Sequence, residues 1–226
     1  MIFIGRTTLL FTNTDKKKKE NNMKFFSPEG ALYKFITIFW NLVKINVVWL
    51  LCCIPIVTIG PSTIAAFAVT MQMAQNTEGY VVHTFFKEFK KNIKGIPMGL
   101  LFVLCLEVAN VDFQLFNQIE GNPFILLVFG IVAVFVLLMS FTYAFALYSR
   151  YENSVMRTLK LSFEISTKYI GRTLILWVLI VLELFAIFYN YTTMFCGVLF
   201  GGSVIFYTIS GFAVKVFAKI EEESKN

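Results

Sequence analysis

The sequence predicts an all-α polytopic membrane protein, a transmembrane helical bundle with five clear spans and one short or re-entrant span. Apolar stretches cover residues 36–59, 96–116, 123–148, 173–189 and 195–217, most of them near the roughly 20 residues that cross about 30 Å of hydrocarbon. Hydrophobic residues form 57% of the 226-residue chain and the mean hydropathy is +0.70, which leaves too little polar sequence for a separate soluble domain. Charge sorts the connections into two classes. Residues 111–122 hold Asp112 and Glu120 but no Lys or Arg, and 188–196 hold no charge, so both read as external. Residues 76–95 carry Lys87, Lys90, Lys91 and Lys94, and 149–172 carry Arg150, Arg157, Lys160, Lys168 and Arg172, so both read as cytoplasmic.

The net charge of +6 would point to nucleic acid in a soluble protein, but here the cations flank apolar spans and suit anionic lipid of the inner leaflet. Cys52, Cys53 and Cys105 sit within apolar spans and Cys196 lies near an external boundary, so they read as small apolar residues and not as a disulfide framework. Residues 1–22 form a polar, basic extension without a signal-peptide cleavage site. An AAG-GAG codon pair at Lys19-Glu20 would spell a ribosome-binding site just before Met23, so translation is expected to begin at Met23; the alternative is a disordered basic arm. Residues 23–226 are expected to form one helical domain.

The first helix is expected to start at Ser27, an N-cap followed by Pro28 and by Glu29 in the first turn. Lys34, Thr37, Asn41 and Lys44 recur at steps of three or four and share one polar face. Lys44 is a candidate intramembrane site residue or a cation that snorkels to the surface. Pro55, Gly60 and Pro61 break this helix, at what the six-span reading makes its outer end. Residues 62–75 follow, with Ala65, Ala66, Ala68, Met71 and Met73 among Thr63, Thr70 and Gln72. This is the ambiguous segment, a short crossing packed by its small residues or a re-entrant piece. A full crossing places both termini in the cytoplasm, and the competitor is a five-span chain with its N terminus outside.

Both cytoplasmic connections read as amphipathic helices. Val82, Phe86, Phe89 and Ile93, with Phe85 beside them, face away from Lys87, Lys90, Lys91 and Lys94; Val155, Leu159, Phe163 and Ile170 oppose Arg157, Lys160 and Lys168. Shifting the chain by 74 residues pairs Thr84 with Thr158, Phe89 with Phe163 and Lys94 with Lys168. The matching order of elements points to a weak internal duplication.

Glu107 and Glu183 lie inside apolar spans. A lipid-exposed carboxylate is costly, so each is expected to face the bundle interior, to be protonated, or to meet a partner such as Lys44. They could line a proton or solute path, or fix helix packing. His83 is the only histidine and has no acidic or thiol neighbour at metal-ligand spacing, and GxxxxGK[ST], GxGxxG and GxSxG are absent. No enzyme activity, cofactor or metal is expected.

The order of residues 49–63 (WLLCCIPIVTIGPST), 78–80 (EGY) and 85–92 (FFKEFKKN) resembles the YesL-like membrane proteins of Gram-positive bacteria, over residues 24 to about 218. Glu78-Gly79 followed by Phe85, Phe89, Ile93 and Pro97 also resembles the loop through which importer permeases contact their ATPases, though without that loop's alanine pair. The YesL-like resemblance implies a noncatalytic accessory subunit in the bacterial cytoplasmic membrane, associated with a carbohydrate importer of the ATP-binding-cassette (ABC) class. Its partners would be the permease or ATPase subunits and anionic lipid. The interface expected from these residues is Glu78, Gly79, Phe85, Phe86, Lys87, Phe89, Lys90 and Lys91. The alternative is a small secondary transporter or channel using Lys44, Glu107 and Glu183.

Overall fold

The computed structural model describes residues 31–77, 79–118, 124–151 and 153–223, with the side chains of 31, 116–118 and 124–127 excepted. The extension 1–22, the Ser27 cap and Glu78 lie outside the described residues. By compactness the chain divides into Met1–Leu42 and Val43–Asn226. In the first unit, the described part is the opening of α1 (Ala31–Cys53), where Phe39 and Trp40 meet edge to face at 6.1 Å.

A 3-10 turn (Ile56–Thr58) leads from α1 into α2 (Ile59–Ala74) and α3 (Val81–Lys91). A second such turn (Ile93–Gly95) leads into α4 (Ile96–Gln118), followed by α5 (Phe124–Phe141), α6 (Ala144–Arg150), α7 (Val155–Lys168), α8 (Ile170–Phe188) and α9 (Tyr191–Glu223). Among the described residues six segments are long and apolar enough to cross a membrane, and the chain is a multi-pass membrane protein. Exposed Leu, Val, Ile and Phe cover α4, α5 and α8, as expected where lipid replaces water as the solvent.

The least apolar candidate span sits at the centre. The membrane window of α2 is 72% buried, against 33% or less for the other five, because α3, α4, α6 and α9 all pack on it. A helix that meets only protein needs no lipid-compatible surface, so its Thr and Gln cost little. Thr70 Oγ1 bonds to Ala66 O (2.9 Å) and shares a hydrogen bond with Ser210 Oγ of α9 (2.7 Å). Asn76, at φ 54°, closes α2 in the left-handed region that Asn tolerates, and α3 doubles back along it.

That reversal brings Gly95 beside the Ile64 side chain and sets Gly60 against Gly99; a Cβ on either of the last two would collide with the backbone of the other. The break after α1 is therefore level with the start of α4. Because Ile64 meets Gly95 where Gly60 meets Gly99, α2 runs antiparallel to α4, and residues 56–74 are one of the six segments long and apolar enough to cross a membrane.

The duplication is visible in the element order: α3 starts at Val81 and α7 at Val155, α4 at Ile96 and α8 at Ile170, and 155 − 81 = 170 − 96 = 74. In the second copy the inward span is broken between α5 and α6. Ser162 Oγ accepts from Tyr143 N (3.1 Å), and Ser166 Oγ donates to Met139 O (2.8 Å), so α7 satisfies backbone groups at the break. This corrects the expected face of α7. Thr158, Ser162 and Ser166 are buried and Val155 and Leu159 pack on the core, whereas Phe163 and Ile170 point outward. Hydroxyls can meet a broken helix where large apolar groups cannot.

Candidate interaction surface and intramembrane polar groups

Helix α3 is fastened to α2 by Val81 and Phe85, both buried, and Phe85 has no exposed surface. Its ring stacks on Phe89 (6.4 Å, 15°) and meets Phe86 edge to face (5.8 Å, 86°). Asn92, also buried, ends the helix, its Nδ2 donating to Glu88 O (2.9 Å), while Lys90 and Lys91 lie in the last turn, where cations suit the helix dipole. The outward side carries Val82, His83, Phe86, Lys87, Lys90 and Lys91, flanked by exposed Gly79, Tyr80, Ile93 and Lys94.

Of the expected interface, Gly79, Phe86, Lys87, Lys90 and Lys91 are exposed together and Phe89 is half-buried. Phe85 belongs to the chain's own packing and cannot meet a partner. The apolar stripe of Val82, Phe86 and Ile93, expected to lie along the membrane or against a partner, is exposed, and the adjacent stripe of Val81 and Phe85 seats the helix on the bundle.

At the same end, three more elements are clasped by charge. Arg150 pairs with Glu221 (2.9 Å) and Lys168 with Glu223 (2.7 Å), and the Tyr151 hydroxyl donates to Glu221 Oε1 (2.6 Å). Burial, then the Glu221 hydrogen bond, pushes the Tyr151 pKa up to about 12. Lys168, Arg172 and Lys219 surround the Tyr169 ring at 5.5–5.8 Å.

The three intramembrane candidates do not assemble. Glu183, half-buried between α8 and α9, accepts from Thr208 Oγ1 (2.5 Å), and its buried Oε2 has no hydrogen-bond partner. Glu107, expected to face the interior, to be protonated or to meet a partner such as Lys44, is exposed on α4. The far half of α4 packs on α5 through Asp112, against Gly130, and Glu107 lies about 140° round the helix from Asp112. Lys44 is exposed on α1, and neither ion pair among the described residues involves these three groups.

The polar residue that does hold spans together was not among the candidates. Asn46 is 1% exposed; its Nδ2 donates to Val198 O (2.8 Å) and its Oδ1 accepts from Ser203 N (3.0 Å). The Gly201-Gly202 pair gives access, since a Cβ on Gly202 would lie 2.8 Å from Asn46 Oδ1. Trp49 packs beside it, edge to face on Phe206 at 5.1 Å, with Nε1 donating to Thr63 Oγ1 (3.2 Å). A Gly pair in an apolar helix is the sequence signal of such a close approach.

The α1 and α2 side of this contact, Asn46, Trp49 and Thr63, falls within a family match that stops short of α9. A family model described as "Protein of unknown function, DUF624" matches residues 42–113. The match takes in Asn46, the Gly60–Gly99 contact and all of α3, the first copy of the duplicated unit. No curated protein matches the chain, and no solved structure does.

Proposed function

We propose that this chain is a noncatalytic membrane subunit that docks on a carbohydrate ABC importer through the outward face of α3, on the cytoplasmic side of the bacterial membrane. The supporting observation is the division of labour in α3. Phe85 and Val81 fasten it to the most buried helix of the bundle, so Phe86, Lys87, Lys90 and Lys91 are presented on a rigid base. An aromatic anchor beside cations suits an acidic partner patch, and the resemblance to YesL-like proteins supplies the importer. In this reading α2 crosses the membrane as the second of six spans, and both termini lie on the cytoplasmic side.

Affinity purification of the tagged chain from its native membrane tests this reading. Permease or ATPase subunits should co-purify and be lost on Phe86→Asp with Lys87→Glu, while the variant still inserts and folds. Recovery of neither subunit with the wild-type chain overturns it. A second reading, a small secondary transporter, is favoured by one observation, the buried and unpartnered Glu183 Oε2. Solute flux in vesicles holding the purified chain alone, reduced by Glu183→Gln, would establish that reading instead.

A further inference from the structure

The cations of the second half converge on one ring. Lys168 at the end of α7, Arg172 in the first turn of α8 and Lys219 near the end of α9 stand 5.6, 5.8 and 5.5 Å from the Tyr169 ring, and all three are exposed. Like charges repel, so such a gathering calls for anions to offset it. One carboxylate is bonded there: Glu223 pairs with Lys168 (2.7 Å) and accepts from the Tyr169 hydroxyl (3.2 Å). Glu221 is taken by Arg150, and neither ion pair among the described residues includes Arg172 or Lys219. Lys215, one turn before Lys219 on α9, is a further exposed cation. Even with exposed Glu164 of α7 and Glu222 counted beside Glu223, the four cations outnumber the carboxylates by one (4 − 3 = 1).

The cluster lies at a membrane boundary and reaches inward from it. Helix α8 has 19 residues, a length of about 28 Å against roughly 30 Å of hydrocarbon, so Tyr169, just before its first residue, sits at the boundary, where aromatic side chains are favoured. From Lys219 the steps of four back to Lys215 and Gly211 follow one face of α9, about 6 and 12 Å further into the span. Nothing lies within 4 Å of a Cβ built on Gly171 or on Gly211, so surface is open both beside the cations and below them. A dissolved anion could reach Lys219. Cations that continue into the span above an open apolar surface fit instead a phosphate that carries acyl chains, and basic pockets between spans suit anionic headgroups.

We infer that the corner of α7, α8 and α9 binds one anionic phospholipid, its headgroup phosphate held by Arg172, Lys215 and Lys219 and its acyl chains lying along α9 past Gly211. To test this, the full chain is purified in neutral detergent and its Tm followed while phosphatidylglycerol, phosphatidylcholine or inorganic phosphate is titrated in. Phosphatidylglycerol should raise Tm, because a ligand of the folded state stabilises it; the other two, at equal concentration, should not. Arg172→Gln with Lys219→Gln should increase the phosphatidylglycerol needed for half of the rise by about tenfold or more. Arg157→Gln with Lys160→Gln removes as many exposed cations from α7 and should leave it unchanged. If the first double variant does not fold, Lys219→Gln alone, at an exposed position, should still weaken the response several-fold. Three results overturn the proposal. The first is an equal response to phosphatidylglycerol and phosphatidylcholine. The second is an equal loss in the two double variants, which would mark attraction to the whole basic side and no site. The third is the same rise with inorganic phosphate, which would mark a site for a soluble anion.

Discussion

Replacing Gly99 by Ala places a methyl group where α2 and α4 come closest. Its Cβ would fall on the backbone N and Cα of Gly60 and 3.2 Å from the Ile59 carbonyl carbon. Backbone has no rotamer to yield, so the helices must separate by an ångström or more, and α2 loses contact along its buried length. Overpacking of this kind costs about 1–3 kcal/mol, and at about 2–4 °C per kcal/mol for a chain of this size the fall in Tm is about 2–12 °C. Gly171→Ala is the internal control: it sits in the first turn of α8 with nothing within 4 Å of a new Cβ, and Ala gains up to about 1 kcal/mol of helix propensity over Gly. Thermal unfolding in detergent, read by a thiol-reactive dye that reports the four partly buried cysteines, should show opposite signs, a fall for Gly99→Ala and no change or a rise for Gly171→Ala. Equal Tm values for the two variants would refute the Gly60–Gly99 contact.

Asn46→Leu removes the bonds to Val198 O and Ser203 N, and at about 0.6–1.7 kcal/mol for each polar contact in a membrane it should lower Tm by a few degrees; Lys44→Leu, an exposed neighbour, should not. Ser166→Ala leaves Met139 O without its hydroxyl donor and should cost about 1 kcal/mol, whereas Thr167→Ala, on the exposed side of α7, should change Tm by less than half as much. Tyr151 holds its proton more tightly folded than unfolded, with a folded pKa of about 12 against an ordinary 10. Its contribution to stability is therefore complete below pH 10 and lost as pH climbs to about 12. A difference absorbance titration of wild type against Tyr151→Phe should place the missing transition near pH 12, and one near pH 10 would contradict the Glu221 contact.

The helices that face lipid were legible because their chemistry is dictated by the solvent: 96–116, 123–148 and 173–189 all appear as spans close to their expected bounds. The shift of 74 was legible too, through Thr84 and Thr158, because element order outlasts side-chain identity in a repeat. The position of α2 was not, since Ala, Thr and Met in alternation fit both a weak span and a segment wrapped by protein, and only its neighbours decide between them. In α3 the adjacent apolar stripes through Phe85 and Phe86 are equally good by periodicity. Asn46 escaped notice for a similar reason: one Asn in KINVVWL reads as a tolerated polar residue until the Gly pair of α9, some 155 residues away in sequence (201 − 46 = 155), is seen to receive it.

The most direct test is the sidedness of the break after α1. Single cysteines at Val57, exposed in that break, and at Lys90, on the outward face of α3, are introduced into a chain whose native cysteines are Ser, and sealed vesicles of known orientation are treated with an impermeant thiol reagent. The two positions should react from opposite sides. Labelling of Val57→Cys and Lys90→Cys from one side would mean that α2 does not cross the membrane, and would contradict the account of six crossings.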